Sequence, residues 1–156
     1  MSNEDSIVAM PITPPPNMMQ QLNADMAAFV QRQKRDIIRR LKIIGEQAIT
    51  IARTSHRYLD QTGNLTSSIG YVITENGSVI FASSFNVVKN GYDGAVTGRE
   101  LALQLASEFS SDYALIVVAG MHYAAYVEAR GLGGMTAAEL DAKNEVERLV
   151  NKLNGR

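Results

Sequence analysis

From Met18 to Tyr58 the chain contains no proline, and apolar residues return at three- and four-residue steps: Met26, Val30, Ile37, Leu41, Ile44, Ala48 and Ile51. That period gathers them into one stripe of an amphipathic helix. A helix of this extent spans ~60 Å at 1.5 Å rise per residue. A compact domain of 156 residues has a radius of gyration of only ~15 Å. Either the helix breaks near Gln31–Arg35, or its first part reaches onto a partner. The second is favoured. Gly45 lies within the pattern and weakens it by ~1 kcal/mol relative to alanine, which permits a bend there.

The helix has definable borders. Residues 1–17 read as an extended arm, because all four prolines lie there, at Pro11, Pro14, Pro15 and Pro16. A Pro-Pro-Pro run prefers the polyproline conformation and cannot sit inside a helix. Ile7, Val8, Met10 and Ile12 make the arm stickier than a plain spacer, so docking on a neighbouring subunit stands beside a simple flexible role. Residues 18–156 then form one domain. At the other border, Gly63-Asn64 tolerates positive φ and can end a helix. From Leu65 the side chains alternate. Leu65, Ile69, Tyr71 and Ile73 share one face, and Ser68, Gly70 and Thr74 share the other, as in a strand.

Beyond that corner the signals change from helix to sheet. Asn76-Gly77 is the pair favoured in type I′ turns and predicts a hairpin between Tyr71–Thr74 and Val79–Ser83. Phe85 to Gly98 carries Gly91, Gly94 and Gly98 with little periodicity and reads as a loop. Its glycine spacing is not that of a phosphate-binding loop. Thr97 with Glu100 reads as a capping box opening a helix to about Phe109, with Leu101, Leu105 and Phe109 inward. Tyr113 to Ala119 is a continuous, β-branched apolar run and predicts a central strand. Residues 120–128 leave that strand for one or two helical turns, and Gly131-Leu132-Gly133-Gly134 breaks the chain again. Thr136 with Glu139 predicts a final helix lined by Leu140, Val146, Leu149, Val150 and Leu153. The fold class is α+β: a long N-terminal helix packed on a small antiparallel sheet, with shorter flanking helices.

Charge narrows the partners. The formal net charge is -1, which argues against a dedicated nucleic-acid binder, but its distribution is uneven. Between Arg32 and Arg57 eight basic residues stand against Asp36 and Glu46. Between Glu128 and Glu147 five acids stand against Arg130 and Lys143. A charged helix face is often only a solvated one. The alternatives are a face toward DNA or toward the acidic end of the next subunit. No Phe, Tyr or Trp interleaves the basic run between Arg32 and Arg57, which disfavours specific nucleic-acid reading. There is no cysteine, so neither a disulfide nor a thiolate metal site is available. No apolar run approaches the ~20 residues of a membrane span. Glu4 and Asp5 without a basic n-region do not read as a secretory signal.

The candidates for catalysis are few. His56 and His122 are far apart, and neither belongs to an H-E-x-x-H metal motif. His56 with Asp60 at helical spacing, or His122 near Glu128, would make an acid–base pair, but a capping or surface role outweighs either. Ser67 and Ser68 lack a nucleophile-elbow context. No cofactor or metal is expected, and a small hydrolase or nuclease is a minor alternative.

Two motifs carry more. The first runs Thr62, Gly63, Asn64, Leu65, then Ser68, Ile69, Gly70 and Tyr71; the second runs Val117 to Met121, then Tyr123 to Glu128, and Gly131. In this order, after a long basic helix and separated by a hairpin and a strand, they resemble the head–tail joining, or tail-completion (neck), proteins of tailed bacteriophages. The resemblance covers roughly residue 37 to the C-terminus. After Glu128 the chain departs from the family pattern, with Ala129-Arg130-Gly131-Leu132-Gly133-Gly134.

The resemblance implies a non-enzymatic virion protein, made in the bacterial host cytoplasm and located at the head–tail junction. It implies a homo-oligomeric ring between the portal–adaptor assembly and the tail. A tail terminator or minor capsid protein is the alternative within the same class. A ring needs two complementary side surfaces, which the basic helix and the acidic C-terminal portion supply. Arg35, Arg39, Arg40 and Lys42 are assigned to a subunit contact or to the DNA-containing lumen, where phosphates are met without reading sequence. In the second motif Tyr123, Tyr126 and Val127 are expected to pin the turn against the long helix, beside Glu128.

Overall fold

The structure is a computed structural model that describes residues 11–55, 57, 59–110, 112–121 and 135–155. The chain separates into two units, Met1–Asp36 and Ile37–Arg156. Helix α1 (Met18–Thr54) contributes to both. It is helical throughout, so the break considered near Gln31–Arg35 does not occur. It ends at Thr54, short of the expected Tyr58.

In the first unit the prolines set where α1 begins. Residues 11–15 have no regular structure, and a turn at 16–17 leads into the helix. The Met18 N–H donates to the Pro15 carbonyl at 3.0 Å, and the Gln21 N–H donates to that of Asn17 at 3.0 Å. Every residue from Met18 to Gln33 is exposed. Among them Met18, Met19, Leu22, Met26, Phe29 and Val30 are large and apolar.

The second unit is built around a three-stranded sheet, among the described residues, in the order β2-β1-β3. Strands β1 (Ile69–Glu75) and β2 (Ser78–Ala82) form the expected hairpin. Asn76 at φ 50° and Gly77 at φ 82° supply the two left-handed residues that a type I′ turn requires. The register shifts between Ile73 and Thr74, where Phe81 and then Val79 are the partners. Strand β3 (Tyr113–Ala119) lies on the other side of β1, antiparallel, from Ile69↔Ala119 to Glu75↔Tyr113.

Among the described residues the central strand is therefore β1, not β3. The reading of Tyr113–Ala119 failed for a specific reason. Its apolar run reflects helices on both faces of the sheet, which makes even an edge strand apolar on both sides. On one face, Ile69, Tyr71 and Ile73 pack with Leu41, Ile44, Ala48, Ile49 and Ala52 of α1, joined by Ala138 and Leu149 of helix α4 (Met135–Leu153). On the other, Val72, Ile116, Val118 and Phe85 pack with Ala102 and Ala106 of helix α3 (Tyr92–Ala106). The architecture is α+β, as expected.

Three local readings are corrected. Leu65 belongs to no strand. It sits buried in a single helical turn, α2 (Asn64–Ser67), that precedes β1. The Asp60 carboxylate receives the Thr66 N–H at 2.8 Å and helps to close that turn. Helix α3 begins at Tyr92, inside the segment read as a loop, and Thr97 lies in its interior with its hydroxyl donating to the Asp93 carbonyl. The capping-box reading fails there, and Phe109 falls beyond the helix and is exposed. Helix α4 occurs as expected but already includes Met135, and Leu140 faces solvent.

Candidate interaction surfaces

The first motif is a backbone junction. Gly63 adopts φ 78° and starts α2, and a Cβ there would lie 2.0 Å from the Val88 carbonyl oxygen. Thr62 accepts the Asn90 N–H on its carbonyl at 3.1 Å. Asn64 accepts the Gly94 N–H on its side-chain oxygen at 3.0 Å. The Ser67 hydroxyl accepts the Val88 N–H at 2.8 Å. Ser68 donates to the Leu65 carbonyl at 2.7 Å and accepts the Gly120 N–H at 3.0 Å. Every polar group in this set secures another segment's backbone, and Leu65, Ser67, Ser68 and Ile69 are all buried. Unmade, such buried groups would each cost ~1–3 kcal/mol.

The partners of this junction were hidden in the supposed loop. Gly91, Gly94 and Gly98 are spaced three and four apart, which places them on one helix face. A Cβ on Gly91 would lie 2.4 Å from the Gly63 carbonyl oxygen, on Gly94 1.9 Å from that of Asn64, and on Gly98 2.2 Å from that of Ser68. Backbone meets backbone here because no side chain intervenes. The helical spacing of the glycines was the available signal. In sequence alone that signal is masked, because glycine reads first as a loop residue.

A second close approach fixes α1 on the sheet. The Tyr71 ring lies against Gly45, where a Cβ would stand 2.5 Å from the ring edge. The Tyr71 hydroxyl donates to the Glu46 carboxylate at 2.9 Å and lies 3.2 Å from the Lys42 carbonyl oxygen. Burial, together with the neighbouring Glu46 carboxylate, raises the phenol's pKa well above its ordinary value. Arg53 donates to the Ile69 carbonyl at 2.7 Å, tying the end of α1 to the start of β1.

The basic candidates do not behave alike. Arg35 and Arg39 are exposed, while Arg40 and Lys42 are half-buried. The Lys42 ammonium stands 4.1 Å over the Phe81 ring, a cation–π contact that holds it against the sheet. Arg40 borders a shallow depression with Glu145 and Arg148. His56 and the whole second motif from His122 onward, including Tyr123, Tyr126, Val127 and Glu128, lie outside the described residues. Asp60 is engaged with the Thr66 backbone, and its carbonyl accepts the Lys89 ammonium. Among the described residues no three His, Asp or Glu stand together as metal ligands.

One concavity in this unit is apolar. A groove of about 780 Å³ runs along α4. Leu41 of α1, Leu115 and Val117 of β3, and Val146, Val150 and Leu153 of α4 line it. Asp112, Glu139, Glu147 and Lys143 border it. Val150 and Leu153 are about half exposed. No described helix is long and apolar enough to cross a membrane. No protein-family model matches the chain, and neither does any curated protein or solved structure.

Proposed function

We propose that this chain is a structural protein of a tailed-bacteriophage virion, assembled as a homo-oligomeric ring in the neck and joining the DNA-filled head to the tail. The observation that carries the reading is the pair of motifs, Thr62–Tyr71 and Val117–Gly131, in their order along the chain. The first supports an architectural role, since its polar groups bind the backbone of α3 and of the segments around it. The partners are further copies of the chain, the portal or adaptor proteins and the tail proteins. Packaged DNA is met without sequence reading. Arg35, Arg39 and Arg40 face a neighbouring subunit or the lumen. Lys42 contributes less, being engaged on Phe81.

Electron microscopy of lysates from a phage or prophage lacking the gene tests the proposal. DNA-filled heads beside separate, finished tails are expected. Normal infectious particles would overturn it. Charge reversal at Arg39 and Arg40 should lower virion yield without unfolding the protein, and an unchanged yield would remove these residues from the contact.

A further inference from the structure

The chain carries two apolar surfaces of opposite shape. The convex one is the exposed stripe of α1: Met18, Leu22, Met26, Phe29 and Val30, at successive steps of four, four, three and one. Its residues are 45–60% exposed, far more than large apolar side chains in a helix that has found its packing partner. The concave one is the groove along α4. We infer that the stripe of one copy seats in the α4 groove of the next copy, making a head-to-tail contact between identical chains. This rests on the homo-oligomer part of the proposed function and not on its location in a virion.

Three observations favour a second copy as the occupant. The lengths agree. Met18 to Val30 rises ~18 Å at 1.5 Å per residue, and the 19 residues of α4 offer ~28 Å on the same scale. The side chains agree, because an amphipathic helix entering an apolar groove presents anchors at three- and four-residue steps, as the stripe does from Met18 to Phe29. The charges agree as well. Arg32, Lys34 and Arg35 follow the stripe, while Asp112, Glu139 and Glu147 against Lys143 border the groove. Opposite signs at the border steer the encounter and set its direction.

The contact is heterologous: the surface used on one copy differs from the surface used on its neighbour. Repetition of such a contact closes into a ring if the rotation permits and otherwise grows as a filament. An antiparallel pairing of two stripes would instead stop at a dimer and leave the groove open.

The chain has no cysteine, so introduced thiols are the only ones that react. Met26→Cys and Val150→Cys variants are purified separately, then treated with a short bis-maleimide linker alone and mixed. Both positions are about half exposed or more, so neither change threatens the fold. The mixture should give a cross-linked species containing one of each variant, and each variant alone should give at least tenfold less. Self-linking of Met26→Cys alone would overturn the inference in favour of stripe-to-stripe pairing. Absence of linking in the mixture would overturn it as well. As a second readout, Met26→Asp with Phe29→Asp should convert wild-type oligomers to monomers in light scattering, while at dilutions where both proteins are monomeric their melting temperatures agree. A wild-type protein that is monomeric at 100-micromolar order, or a double variant that still assembles, would refute the contact. Because the linking assay needs no phage, it can fail while the gene-deletion phenotype still appears, and the reverse.

Discussion

The two parts of α1 share a chemical pattern and differ in fate. In Ile37–Thr54 the apolar positions Leu41, Ile44, Ala48, Ile49 and Ala52 are buried against β1 and α4. In Met18–Asp36 the positions of the same period, Leu22, Met26, Phe29 and Val30, are exposed. Their composition differs subtly. The buried part uses Gly45, against the Tyr71 ring, and the fully buried Ala48 and Ala52, whereas the exposed part places methionine and phenylalanine on its stripe. Small residues allow a fixed neighbour to approach. Methionine adapts to surfaces it meets later. Periodicity thus states that a face will be covered, and residue size hints at whether the cover is part of the same unit.

The sharpest way to break this contrast is to place one charge in each part. Ala48 is fully buried, so Ala48→Asp strands a carboxylate without a partner and should cost more than ~3 kcal/mol, enough to abolish cooperative melting in a marginally stable unit. Met26→Asp, on the exposed stripe, should shift the melting temperature of the isolated chain by no more than about 2 °C. Equal effects in calorimetry would erase the distinction. A milder pair sharpens it. Ile44→Ala should lose ~2–5 kcal/mol in urea titrations through the cavity it leaves. Phe29→Ala should change stability by less than ~0.5 kcal/mol at concentrations where the chain is monomeric.

Gly45 supplies a test in which two effects oppose each other. Alanine would improve helix propensity by ~1 kcal/mol. The added Cβ would stand 2.5 Å from the Tyr71 ring, an overpacking that costs ~1–3 kcal/mol. Net destabilisation is expected, and combining Gly45→Ala with Tyr71→Ala should remove the Gly45→Ala part of it. A stabilised single variant would show that the ring is free to move aside.

A further expected effect, read through pH, concerns the Tyr71 hydroxyl. Its pKa is raised in the folded chain, so folding favours the protonated phenol. The stability this contributes is fully present below the unfolded-state value of about 10 and is lost progressively as pH rises above it. Tyr71→Phe should cost ~1 kcal/mol at neutral pH through the lost hydrogen bond. It should also flatten the decline of stability between pH 10 and pH 12, relative to wild type. An identical decline in both proteins would assign it to other groups.

The same particulars show how far the sequence could be read. The hairpin was legible because Asn76-Gly77 is a local signal that needs no tertiary context. The long helix was legible because proline is absent and the stripe is regular. The start of α3 was not, since Gly91, Gly94 and Gly98 serve a contact with residues some 30 positions earlier, and nothing local distinguishes a packing glycine from a loop glycine. The position of β3 was misread because an apolar run records burial on two faces, not the number of strands beside it. Of the candidate residues, those of the first motif were recognised as important. Their task, holding the backbones of α2 and α3 together, came only from the geometry. Lys42 was grouped with its charged neighbours because sequence could not show Phe81 beneath it.

The strand order also has a consequence during synthesis. β1 meets β2 across a two-residue turn, but its other edge waits for Tyr113–Ala119. At ~5–20 residues per second, the ribosome needs several seconds to pass from Glu75 to Ala119. For that interval the hairpin presents an unpaired edge and two apolar faces, and α1 already carries its uncovered stripe. The order in which the strands emerge therefore decides how long these apolar surfaces stay uncovered before the chain completes its own sheet.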